Sequence, residues 1–98
     1  MKLIWSPLAI DRISEIAKYI AQDNPVAAEK WANKIFGLVE RLHDFPESGC
    51  VVPEIKNKVF REIISGNYRV IYTYENSKIL ILTVRHGKQI LPVEEIKA

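Results

Sequence analysis

Arg61, Arg69, Arg85, His86 and Lys88 form the one cluster in this sequence with residue types suited to chemistry. Guanidinium and ammonium groups hold phosphate or carboxylate oxygens, and an imidazole titrating near neutrality can give or take a proton. Such a set suits a nucleic acid or an acidic protein surface. Some members also have a plainer use. Arg69 and Glu62 are near-neighbours on one face of a predicted hairpin, placed for a diagonal cross-strand ion pair. His43 closes a predicted helix, where a cation complements the dipole. Trp5 and Trp31 read as core anchors. No CxxC or HExxH occurs, and Cys50 is the sole cysteine. No serine, cysteine or aspartate arrangement for nucleophilic attack is identifiable. The sequence therefore implies no metal, no cofactor and no internal disulfide.

The elements that must position these groups are strands. Runs rich in β-branched and aromatic residues flank Gly66-Asn67, a pair suited to a two-residue hairpin turn with positive φ. Strands are predicted over 58–64, 68–74 and 78–86, with Asn76-Ser77 as the second turn. Side-chain alternation then puts Arg61, Ile63, Val70, Tyr72, Ile81, Thr83 and Arg85 on one face. Phe60, Glu62, Ile64, Arg69, Ile71, Leu80, Leu82, Val84 and His86 share the other. The tyrosine-rich face is expected to carry the helices. That leaves Phe60, Ile64, Ile71, Leu80 and Leu82 needing a cover, from residues 46–57, from 87–98, or from a partner.

Two helices precede the hairpin. Lys2 to Trp5 alternates as a short strand before Ser6-Pro7, a capping residue followed by proline at the first helical position. Ile13, Ile16, Ala17 and Ile20 keep helical spacing to about Ala21. Asp23-Asn24-Pro25 repeats the device and opens a second helix reaching Leu42 or His43. The short connection favours a helical hairpin. Gly37 lies inside that helix and marks a candidate close approach. Residues 46–57, with Pro46, Gly49 and Pro53, read as a surface loop.

The chain has 98 residues, enough for one domain, with 87–98 as a candidate C-terminal tail. Net charge is +2, unevenly placed: residues 1–50 carry six basic and seven acidic side chains, and residues 51–98 carry eight and five. The second half therefore carries either a solvated basic face or a surface that meets nucleic acid or an acidic protein, and charge does not separate the two. No apolar run is long enough to span a membrane, and no export signal is recognisable, so a cytoplasmic location is expected.

Taken in order, several segments resemble the ParE/RelE family of small bacterial toxins. They are Trp5-Ser6-Pro7; Asp23-Asn24-Pro25-Val26-Ala27-Ala28; Phe45-Pro46 with Gly49; Val59-Phe60-Arg61-Glu62; Tyr68-Arg69-Val70-Ile71-Tyr72; and Val84-Arg85-His86-Gly87-Lys88. The resemblance implies an α+β fold, with a helical hairpin on a mostly antiparallel four-stranded sheet in the order β-α-α-β-β-β. It implies a type II toxin, neutralised by a cognate antitoxin in a hetero-oligomer. The antitoxin is expected over Phe60, Ile64, Ile71, Leu80 and Leu82, or along the exposed sheet edges.

Two branches of the family differ in target. Lysines of the branch that cuts mRNA on the ribosome would fall near Phe60 and Glu62, and an expected arginine is Gln89. Cys50 stands where many members carry a basic residue. The branch that poisons DNA gyrase needs no active site of its own and fits better. Arg69, Arg85, His86 and Lys88 are then the expected target-binding residues. The alternative is a ribosome-dependent mRNA endoribonuclease using His86, Arg69 and Arg85. A third reading is a non-toxic interaction module on the same fold.

Overall fold

In a computed structural model, residues 2–87 are described. Lys88, and the tail expected beyond it, lie outside them. Strand β1 (Lys2–Trp5) leads into helix α1 (Pro7–Asp23). Ser6 makes that junction. Its hydroxyl accepts from the Ala9 N–H at 3.0 Å and donates to the Leu82 carbonyl at 2.8 Å. One side chain thus caps the helix and docks it on the sheet.

Asn24 alone separates α1 from α2 (Pro25–Glu40). Its backbone N–H closes α1 on the Ile20 carbonyl, and its side chain accepts from the Ala27 N–H to open α2. With no spare linker, α2 folds back on α1. A single 3₁₀ turn, Arg41–His43, follows. Gly37 is exposed, and an added Cβ there would meet nothing, so it marks no close approach.

Among the described residues the sheet has five strands rather than the expected four. β2 (Cys50–Val51), β3 (Phe60–Ser65), β4 (Tyr68–Glu75) and β5 (Lys78–His86) join β1 in the order β1-β5-β4-β3-β2. β1 runs parallel to β5 and every other pair is antiparallel. The unexpected strand β2 lies inside the predicted loop 46–57. Two residues are too few for any periodic signal.

The helices cover one face. Ala9, Ile13, Ile35, Val39 and Leu42 close on Val70, Tyr72, Ile79, Ile81 and Val84. Each large apolar side chain buried there contributes roughly 1.5–3 kcal/mol. The tyrosine-rich face does carry the helices, but alternation fails partway along β5. Tyr72 pairs with Ile81 while Ile71 pairs with Thr83, so Leu82 is an extra residue, a β-bulge. Beyond it the faces exchange. Val84 joins the helix core instead of Arg85, and His86 comes opposite Tyr68. The other face has a second core of Val52, Ile71 and Leu82, with Ile55, Phe60 and Leu80 packed on it. No helix among the described residues is long and apolar enough to cross a membrane.

Candidate functional site

Arg69 lies near the turn end of β4, on the face that residues 46–57 cover as a strap, and it is 6% exposed. Its Nε donates to Glu62 Oε2 at 2.8 Å, while Nη1 and Nη2 donate to the two carboxylate oxygens of Glu54 at 2.9 and 2.8 Å. Nη2 also lies 2.6 Å from Glu62. The diagonal pair with Glu62 was foreseeable from strand register; Glu54 was not, since it comes from the loop. The bidentate geometry is the strong form of an arginine–carboxylate contact. Hydrogen bonds to Glu54 raise the guanidinium pKa further, burial opposes that, and Glu62 adds to it. Arg69 therefore stays charged at any relevant pH.

Arg61 serves the same loop from the other end. Its Nη1 donates to the carbonyls of Glu47 and Gly49 at 3.3 and 3.0 Å. Tyr72, opposite Arg61 in register, holds the same stretch. Its hydroxyl accepts from the Gly49 N–H at 3.0 Å and donates to the Pro46 carbonyl at 2.9 Å. Burial raises the Tyr72 pKa, with the Gly49 hydrogen bond opposing. A Cβ at Gly49 would sit 2.6 Å from the Tyr72 hydroxyl and 2.7 Å from the Glu62 carbonyl, so only glycine lets the loop lie this close. Glu54, Gly49 and Tyr72 were not picked out as site residues. The pattern Pro46-Glu47-Ser48-Gly49 was the available signal, and it reads only as a turn.

The chemistry-bearing cluster is split by the bulge. His86 pairs in register with Tyr68, and their rings meet edge to face at 5.5 Å; Trp31 of α2 meets Tyr68 at 5.2 Å. His86 therefore belongs to the helix side, away from Arg69. Arg85 is opposite Arg69 in register at the sheet end. Arg85 and His86, with Tyr68, Arg12 and Tyr19, line a cleft of about 340 Å³ beside α1. The expected constellation of His86, Arg69 and Arg85 is thus not one cluster. Lys88 lies outside the described residues.

The apolar set expected to bind a partner divides too. Ile71 and Leu82 are 0% and 3% exposed beneath Val52, so the chain itself covers them. Phe60 and Leu80 are half-buried in the same cluster. Ile64, 58% exposed, is the member left open. The cover came from residues 46–57, one of the alternatives weighed from sequence. Cys50 is exposed, and no group of three or more His, Cys, Asp or Glu side chains among the described residues could hold a metal ion.

With this geometry in place, the chain can be set beside known proteins. Residues 3–91 match the family described as the ParE toxin of the type II toxin–antitoxin system parDE. A protein named as a candidate toxin, Y4kP of Sinorhizobium fredii, is 33% identical over 92 residues, covering 93% of each chain. Toxin RelE2 of Caulobacter vibrioides is 23% identical over 90 residues, 91% of this chain and 98% of that one. A chain from the chromosomal ParDE system of P. aeruginosa shares the fold, with a TM-score of 0.74 at 20% identity, over 90% of this chain and 97% of the other. The chain belongs to the ParE toxin family.

Proposed function

We propose that this ParE-family chain halts growth in the cytoplasm by binding DNA gyrase, without cutting RNA, and that a cognate antitoxin neutralises it. The engagement of Arg69 carries the reading. A ribonuclease needs cations free to meet the scissile phosphate and a group to protonate the leaving oxygen. Arg69 would have to abandon two carboxylates to meet a phosphate, and His86 sits on the other side of the sheet. A binding toxin needs no such constellation. In this reading Arg69 supports the surface, and Arg85, His86, Lys88 and residues 89–98 meet the target.

The test pairs two assays, supercoiling by purified gyrase and mRNA cleavage in a translating extract. Wild type should block supercoiling and leave mRNA whole. His86→Gln should keep most of the inhibition, and deletion of residues 88–98 should weaken it. Arg85 and His86 beside one cleft favour the ribonuclease as the second reading. Prompt mRNA cutting that vanishes with His86→Gln, with gyrase untouched, would establish it instead.

A further inference from the structure

Strand β1 stops short of the end of β5. It pairs with Lys78–Ile81, and Ser6 then bonds to Ile81 and Leu82 as α1 begins. From Thr83 onward β5 has no strand on that side among the described residues, and α1 runs past it instead. The space between them is the cleft of about 340 Å³.

Arg12, Glu15 and Tyr19 form its helix wall, because positions three and four apart share one stripe of α1. Glu15 accepts from Arg12 Nη1 at 3.1 Å. Tyr19, one turn further on, is 66% exposed, a large ring with no place in either core. Tyr68, Arg85 and His86 form the sheet wall. There Tyr68 meets both Trp31 and His86 edge to face, which holds the rings in place. The walls differ in chemistry. The sheet wall offers a guanidinium and an imidazole, and the helix wall offers a carboxylate, oriented by Arg12, beside an open ring.

We propose that this cleft binds a free nucleoside monophosphate whose base carries an exocyclic amine, such as cytidine monophosphate. The base lies on Tyr19 and its amine donates to Glu15, while the phosphate meets Arg85 with His86 beside it. Glu15 repels a ligand that is anionic throughout, so the negative charge must sit at one end and a donor at the other. The cleft is at the small end of ligand sites, with room for one ring and one charged group but not for a second nucleotide. This inference goes beyond the gyrase reading and does not rest on it. Arg85 and His86 also belong to the surface assigned there to the target, so binding is measured on the chain alone.

The test is amide NMR on the full chain, titrated with cytidine monophosphate, uridine monophosphate, inorganic phosphate and a short dC strand. Cytidine monophosphate should shift Glu15, Tyr19, Tyr68 and His86. Uridine monophosphate has a carbonyl in place of the amine and should bind about tenfold more weakly. Glu15→Gln, which can donate as well as accept, should abolish that preference. Tyr19→Ala, at an exposed position, should weaken both nucleotides about tenfold. Inorganic phosphate should shift only Arg85 and His86, and Arg85→Gln should weaken it and both nucleotides. Equal binding of the two nucleotides to wild type, shifts away from the cleft, or no shift at millimolar ligand would overturn the proposal. So would tighter binding of the dC strand than of the mononucleotide, which would make the cleft a single-strand site. The gyrase reading fails separately, in the supercoiling assay without nucleoside monophosphate.

Discussion

The two faces of one sheet are closed by different means. On one face, helices α1 and α2 cover Val70, Tyr72, Ile79 and Ile81 with apolar side chains, and the Ser6 hydroxyl adds a polar link to the Leu82 carbonyl. On the other, a strap of residues 46–57 carries just Val52 and Ile55 to the apolar cluster, and polar links do the rest. Arg61 and Tyr72, paired in register on the helix side, hold the start of the strap at Pro46, Glu47 and Gly49, and Arg69 holds Glu54 on the far face. A segment this short cannot bury enough apolar surface to offset its ordering entropy. Directional bonds to the buried Arg69, the half-buried Arg61 and the Tyr72 hydroxyl make up the difference. Two of the five residues that looked like chemistry in the sequence, Arg61 and Arg69, are fasteners.

The largest effect should come from removing the central fastener. Arg69→Met leaves Glu62, 6% exposed, as an uncompensated buried charge, which costs about 3–5 kcal/mol. Glu54 is 35% exposed, so its share is screened by water. Chemical denaturation gives the loss, and amide exchange gives its location: the strap should open before the helices do. Adding Glu62→Leu should recover most of the stability yet leave the strap loose, because Glu54 still lacks its anchor. If strap and helices lose protection together in both variants, the two faces are one unit and the contrast is wrong.

Ile35→Ala tests the helix face. Ile35 is 0% exposed, and the cavity should cost about 2–5 kcal/mol. Here protection should fall uniformly. Val52→Ala, equally buried but on the strap itself, should cost less and act locally.

Tyr72 belongs to both faces, its ring in the helix core and its hydroxyl on the strap. Tyr72→Phe orphans the buried Gly49 N–H and should cost about 1–3 kcal/mol. The hydroxyl also sets an alkaline limit. Burial raises its pKa above the 10.0 of a free tyrosine, so the folded chain keeps a proton that the unfolded chain gives up. That stabilisation is whole below pH 10.0 and declines as pH rises through the folded value. Unfolding midpoints across that range should fall more steeply for wild type than for Tyr72→Phe.

The sequence displayed the helix face more fully than the strap face. Ser6-Pro7 and Asn24-Pro25 marked both helix starts, and period and caps agreed on the hairpin. β5 was misread in its second half because Ile79-Leu80-Ile81-Leu82-Thr83-Val84 is apolar on both faces. A bulge in such a run leaves no trace in the pattern, so Arg85 and His86 were assigned to the wrong sides. Glu54 was invisible for another reason. Its partner is fifteen residues away in sequence and is reached by a loop whose path no periodicity describes.

The smallest effect expected is at the β4–β5 turn, which touches neither layer. Asn76 and Ser77 both have positive φ, at 53° and 58°, whereas only Gly66 of the other turn does. Two positive φ values are the signature of the tight hairpin turn that prefers Asn-Gly. Asn tolerates that region; serine has a Cβ that crowds the following carbonyl. Ser77 is exposed, and its carbonyl, which accepts from the Lys2 N–H at 3.2 Å, does not depend on the side chain. Ser77→Gly should therefore stabilise the fold by about 0.5–1 kcal/mol, the relief of strain being partly offset by a freer unfolded chain. Because the turn is remote from the strap, the gain should raise the global unfolding midpoint and leave strap opening, measured by amide exchange at residues 50–55, unchanged. A Ser77→Gly chain whose strap tightened in step with its midpoint would mean that the strap opens only when the whole sheet does.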